Sequence, residues 1–281
     1  SSGSLGLLFA PSLPLIIYGI IAEVSIDSLF VAGIVPGILM MLALAGFCLW
    51  HNRENRRPLS EFSWAEVRAA VRESIWELPL PVVVLGGIYG GVFAVSEAAA
   101  VTVVYVLIVE LFVCREVPLQ RLVAIVRDSM VLVGGILLIL GISLASTNYM
   151  IDAQVPQQLI ELVTRYVSSQ TSFLLLLIGF LLLIGCILHI FSALVLVVPL
   201  MLPVAAQYGV DPVHLGIIFV ATMELGYLLP PIGLNLYTPS YRFNRPALDV
   251  RLATLPFILI LFAAALLITF VPTLSLMFVE P

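Results

Sequence analysis

Lysine is absent. All twelve basic residues are arginine, and charged side chains of both signs make up only 10% of the 281 residues. A soluble domain of this length needs far more polar surface, so a water-exposed globule is excluded. The arginines form no stripe interleaved with aromatics, which leaves nothing to recognise nucleic acid. The three histidines are scattered and no HExxH occurs, so a hydrolytic zinc site has no ligand set. The three cysteines, Cys48, Cys114 and Cys186, lie in or at the ends of apolar runs without CxxC spacing. They read as inert buried thiols rather than a disulfide or a metal site. A membrane-embedded enzyme would need paired aspartates or a Ser/His constellation, and neither is present; the chain is not expected to be an enzyme or to hold a cofactor.

What fills the chain is hydrocarbon: 62% of residues are hydrophobic and the mean hydropathy is +1.17. Several runs exceed the roughly 18 apolar residues that mark a spanning helix. The expected class is an all-α polytopic membrane protein embedded in a lipid bilayer. The net charge of −5 does not orient it, because orientation follows where the positive residues sit.

One apolar run is interrupted. Met223 to Ser240, MELGYLLPPIGLNLYTPS, carries Pro230-Pro231 between Gly226 and Gly233, followed by Asn235 and Tyr237. Paired prolines break a helix, and in hydrocarbon the freed carbonyls and amides must be satisfied by protein, water or a ligand. A second break of the same plan lies near the start, in Phe9-Ala10-Pro11-Ser12-Leu13-Pro14. After each break comes a polar connection and then a long apolar segment with an early proline, GIVPGILMMLAL (Gly33 to Leu44) and ATLPFILILFAA (Ala253 to Ala264). Corresponding interrupted segments in two halves point to a secondary transporter's binding site.

The arginines supply an independent test. The half-helix after the first break ends in an acidic, arginine-free connection (Glu23, Ser25, Asp27), whereas its counterpart ends in the loop holding Arg242, Arg245 and Arg251. The halves therefore have opposite orientations, as an inverted repeat requires. On this reading residues 1–50 are the end of the first repeat, a broken helix plus a crossing. Residues 51–77 are a cytoplasmic loop, HNRENRRP, and an interfacial amphipathic helix over Ser60 to Glu77 with Trp64 and Trp76. Residues 78–170 are a helical hairpin, interrupted at Gly86 to Glu97, and crossing segments, one over Val131 to Ser146, that begin the second repeat. Residues 171–281 are a re-entrant hairpin, the broken helix and a last crossing. The hairpin is expected over Ser172 to Tyr208 with its tip at His189 to Ser192. Glu97 is expected to interact with the N-terminus of its helix, Glu224 to face a cavity, and His189 to be a neutral tip residue donating to a carbonyl, with a proton relay or ligand as the alternative. The opening SSGSLGLLFAPS reads as the middle of a structure, so a preceding segment is expected.

With SLGLLFAPSLPLIIYGIIAEVSIDSLFVAGIVPG, GGIYGGVFAVSEAAAVTVVY, LLLIGCILHIFSALVLVVPLMLPVA and MELGYLLPPIGLNLY in view, the chain resembles the large membrane subunit of tripartite ATP-independent periplasmic (TRAP) transporters. It departs from the usual family pattern at Leu229 and Thr222 (commonly Thr and Asn), at His189 (commonly Asp), at Phe9-Ala10-Pro11-Ser12 and at Val95-Ser96-Glu97. The resemblance implies an elevator-type, sodium-coupled importer of small organic acids in the bacterial inner membrane. It further implies a small four-helix membrane partner and a periplasmic substrate-binding protein. Sodium would be the coupling ion. One sodium site would use Ala10, Pro11 and Ser12 with an upstream hairpin. The other would join Gly185, His189, Ser192 and Ala193 to Gly226, Leu228, Pro230 and Gly233. Ser12, Pro14, Pro231 and Asn235 would meet the substrate. Amide ends of half-helices suit a carboxylate, and freed carbonyls suit a hard cation. The runner-up is a stand-alone dicarboxylate or citrate carrier of the wider ion-transporter group. A structural subunit stands behind both, because it would have no use for intramembrane Pro, Gly and polar clusters.

Overall fold

The fold is known from a computed structural model that describes residues 4–53, 63–229 and 247–279. These residues are helical throughout, with no strand among them, and they fall into two compact units. One contains residues 53–137 and the other residues 1–52 together with 138–281. Among the described residues six helices are long and apolar enough to cross a membrane: Ile26–His51, Val95–Val113, Leu119–Ile142, Gln170–Ile187, Ile190–Gln207 and Leu252–Phe270.

The larger unit opens with a 3-10 turn, Ser4–Leu8, followed by α1 (Leu13–Ala22). Pro14 stands in the first turn of α1, where its missing N–H costs nothing. Glu23 ends the helix with φ at 55°, in the left-handed region. The chain then turns into α2 (Ile26–His51), which Ser25 caps by accepting from the Ser28 N–H. Pro36 lies inside α2 without ending it.

In the smaller unit α3 (Trp64–Glu73) is capped by Ser63 and buries none of its residues. It is shorter than the helix expected over Ser60 to Glu77; residues 60–62 lie outside the described ones, and a turn over residues 75–78 leads to the proline at position 79. Next come α4 (Pro79–Tyr89) and α5 (Val95–Ile108), which pack on each other and continue into a π-helical turn, Val109–Val113. The interruption foreseen in Gly86 to Glu97 is the bend between them. Glu97 accepts from the Ala94 N–H at 3.0 Å, satisfying an orphan amide at the start of α5 as its position implied. The Tyr105 hydroxyl donates to the Trp76 carbonyl at 2.6 Å.

Helix α6 (Leu119–Asp152) joins the arginine-bearing stretch and the expected crossing from Val131 into one helix of 34 residues. In the larger unit it leads to α7 (Val155–Tyr166), then α8 (Gln170–Ile187) and α9 (Ile190–Gln207). The last two are the legs of a hairpin. Their far ends meet: the Phe173 and Tyr208 rings stack 4.5 Å apart, and the Tyr208 hydroxyl donates to the Val167 carbonyl at 2.8 Å. The legs pack more on other elements than on each other, α8 along the following helix and α9 along α1 and α7.

That following helix, α10 (Pro212–Gly226), is the core. Asp211 caps it by accepting from the Val213 and His214 N–H groups at 2.8 and 3.0 Å, and Pro212 occupies its first position. Every residue from Val213 to Gly226 is buried, as befits a helix apolar all round. It is enclosed by α1, α2, α8, α9, the first turn and α11 (Ala247–Phe270). Tyr18 donates to the Pro212 carbonyl at 2.6 Å, and His214 Nε2 lies 3.2 Å from the Thr269 carbonyl. The thiols depart from expectation. Of the three cysteines only Cys186 is buried; Cys48 and Cys114, near helix ends, are exposed.

The meeting of Phe173 with Tyr208 places both hairpin ends together. Single cysteines at Thr171 and Gln207, both exposed, are expected to react with a membrane-impermeant maleimide from the same side. Labelling from opposite sides would remove the hairpin.

Candidate functional site

Two places answer to the two breaks. At the first, Ala10 and Pro11 are joined by a cis peptide bond, and Ser12 sits just before α1 with extended backbone. Ser12 is only 3% exposed, and its hydroxyl donates to the Leu7 carbonyl. The proton is thereby committed, which leaves the oxygen lone pairs free to accept. Pro14 is buried in the first turn of α1.

At the second, the hairpin tip docks on the end of α10. Gly185 and Gly226 cross backbone to backbone: a Cβ added at Gly226 would stand 2.6 Å from the Gly185 Cα, closer than real Cβ contacts come. Glycine on both helices is what permits the approach. Beyond the crossing, the Ile190 N–H donates to the Tyr227 hydroxyl. Ile190 is the first residue of α9, so its amide has no partner within the helix and Tyr227 supplies one. Of the residues singled out from sequence, Gly185, His189 and Ala193 are thus gathered at the tip, and Gly226 and Leu228 at the end of α10. Ser192 lies half-buried in the first turn of α9. Pro230, Pro231, Gly233 and Asn235 lie outside the described residues, as does Tyr237.

His189 is exposed, with its ring tilted against Phe191 at 5.1 Å and Tyr227 at 6.1 Å, and among the described residues no carbonyl accepts from it. Glu224 is 2% exposed, and neither carboxylate oxygen has a hydrogen-bond partner among the described residues. A cavity of about 440 Å³ does exist elsewhere in the larger unit, lined by apolar residues such as Leu5, Phe9, Met41 and Phe257. Among the described residues no group of three His, Cys, Asp or Glu is placed to hold a metal ion. Sequence reasoning missed Tyr227, whose role depends on a partner 37 residues away.

A family model described as the DctM component of the tripartite ATP-independent periplasmic transporter matches residues 1–274. The chain belongs to this family. It is 35% identical over 277 residues to the C4-dicarboxylate TRAP transporter large permease protein DctM of Pseudomonas aeruginosa, covering 98% of this chain and 65% of the relative. It is 33% identical over 279 residues to the ectoine TRAP transporter large permease protein TeaC of Halomonas elongata, with 98% and 65% covered. To the isethionate TRAP transporter permease protein DctMQ of Oleidesulfovibrio alaskensis it is 32% identical over 280 residues, with 99% and 44% covered. The chain therefore spans less than two thirds of these curated relatives. Membership, together with the six apolar helices, makes it a multi-pass inner-membrane protein and not an enzyme.

The tip contact yields a test. Tyr227→Phe leaves the Ile190 amide without its acceptor and is expected to destabilise the docked tip by about 1–3 kcal/mol. Gly226→Ala, which forces the crossing apart, is expected to be at least as severe. Amide hydrogen exchange at residues 188–192 should accelerate in both, while exchange in α11 stays unchanged.

Proposed function

We propose that the chain is the major part of a TRAP large permease that imports small organic acids by sodium-coupled symport. A periplasmic binding protein delivers the acid, and a small four-helix membrane subunit completes the complex. The observation that carries the reading is the docking of the hairpin tip on α10, within four residues of Pro230-Pro231. A helix end and a hairpin tip thus meet just before the break in the sequence, and broken helices offer amides and carbonyls that can bind an anion and a cation.

The inverted repeat has support in the fold. Tyr18, midway along α1, reaches the first residue of α10, while the turn that precedes α1 also packs on α10. The half-helix after the first break thus runs opposite to the half-helix before the second. Pro36 in α2 and Pro256 in α11 sit at matching interior positions of the segments that follow. In this reading the residue ranges 1–50 and 78–281 belong to the two repeats, α3 lies in the membrane interface, and the core around α10 moves across the membrane as an elevator.

The two sodium sites are those built around Ala10, Pro11 and Ser12, and around the hairpin tip with Gly226, Leu228, Pro230 and Gly233. Substrate is met by Ser12, Pro14, Pro231 and Asn235. C4-dicarboxylates, ectoine and isethionate, named for the relatives, each carry a carboxylate or sulfonate, which fits an anion held at half-helix N-termini. The family match favours this reading over a stand-alone carrier.

The complete large subunit, reconstituted in liposomes with its small subunit and candidate binding proteins, is expected to take up an organic acid only with an inward sodium gradient. Uptake unaffected by sodium would refute the coupling. Ser12→Ala is expected to raise the sodium concentration for half-maximal uptake several-fold. Loss of one polar contact, about 0.5–1.5 kcal/mol, has that effect on affinity.

A further inference from the structure

The first break packs against a helix that the proposed sodium sites do not include. Two glycines of α2, Gly33 and Gly37, stand about one turn apart on the same face. The Leu8 carbonyl oxygen occupies the space a side chain would take at Gly33, where a Cβ would lie 2.2 Å from it. At Gly37 a Cβ would stand 2.7 Å from the tip of the Phe9 ring. Both distances are shorter than real Cβ contacts, so the arrangement requires glycine at each position. Glycine inside a helix is unfavourable relative to alanine, yet α2 carries two where the chain leading to Pro11 meets it.

The two contacts differ in kind. Phe9 meets Gly37 with the far end of a side chain, which can swing aside. Leu8 meets Gly33 with its backbone, and Leu8 is fully buried. An added methyl group at Gly33 could be admitted only by moving the chain itself. That chain leads directly to the break. Just Ala10 and Pro11 separate Phe9 from Ser12, and the proline ring leaves little torsional slack. The Ser12 hydroxyl donates back to the Leu7 carbonyl, and the Ser12 carbonyl accepts from the Ile16 N–H at 3.1 Å to begin α1. Residues 7 to 16 are thus one connected path, anchored on α2 at its start.

The matching segment at the second break lacks the pair. When GIVPGILMMLAL is set against ATLPFILILFAA, Ala253 and Phe257 stand where Gly33 and Gly37 do. Near that break the close backbone approach is made by Gly226 to Gly185 of α8 instead. The glycine pair of α2 therefore belongs to the first break and not to the common plan of the two halves.

We propose that Gly33 is a positioning residue of the first sodium site: by admitting the Leu8 carbonyl it fixes the path on which Ala10, Pro11 and Ser12 are presented, and Gly37 steadies that path through Phe9. The proposal rests on the reading of Ala10, Pro11 and Ser12 as a sodium site. Gly33 acts through the backbone of residues 8–12. Its substitution should therefore change how tightly sodium is held, and not how fast the loaded protein turns over.

The test uses the complete large subunit with its small subunit in lipid. Gly46→Ala is the control, because Gly46 lies on the same helix with nothing within 4 Å of an added Cβ. Gly33→Ala is expected to raise the sodium concentration for half-maximal uptake about tenfold while maximal uptake at saturating sodium is retained. Gly37→Ala is expected to raise it less, and Phe9→Leu added to Gly37→Ala to restore it, since the clashing ring is gone. Amide exchange, measured without sodium or any gradient, should accelerate at residues 15–17 in Gly33→Ala and stay unchanged at residues 188–192. Wild-type sodium dependence in Gly33→Ala overturns the proposal. Loss of maximal uptake with unchanged sodium affinity also overturns it, making the pair a packing feature only. Should Gly33→Ala fail to assemble, Gly37→Ala decides: wild-type sodium dependence there, or a defect that Phe9→Leu does not restore, overturns the proposal. If wild-type uptake ignores sodium, the sodium reading fails; accelerated exchange then still supports Gly33 as the residue that positions the break, and unchanged exchange overturns that too.

Discussion

A helix with no outward face imposes the conditions on everything around it. Every side chain of α10 from Val213 to Gly226 is covered by protein, so each polar atom it carries must find its partner within the fold or go without. The two ends are handled differently. Asp211 and Pro212 satisfy or delete the first amides, and Tyr18 takes the first carbonyl from across the unit. At the other end the helix meets glycine with glycine, and Tyr227 gives its oxygen to the hairpin rather than to α10.

The hairpin's legs are held along their length by other helices rather than by each other. Phe173 and Tyr208 stack at the base, and Gly185, Gly226 and Tyr227 hold the tip against α10. Each leg packs chiefly on a different neighbour.

If the sites are built as proposed, from half-helix backbone, the departures from the usual family pattern are tolerable. Leu229 and His189 stand where oxygen-bearing side chains are common. A site assembled from backbone carbonyls and amides at broken helices depends on the path of the chain rather than on those side chains. Among the described residues the exposed His189 ring lies against aromatic neighbours.

The sequence by itself determined the class, the family and the element plan. Long apolar runs, prolines and arginine placement are local signals, and the bilayer leaves helices as the solution for such a chain. The hairpin limits, the bend before Glu97 and the half-helix after Pro11 could be read for the same reason. The sequence could not show which residues meet. Tyr227 at Ile190, Tyr18 at Pro212 and Gly185 at Gly226 join positions 37 to 194 residues apart, and hydropathy is the same whichever helices pack together. The burial of Glu224 was decided there too. In the sequence it is one carboxylate in an apolar run, and only the packing of other elements around α10 buries it.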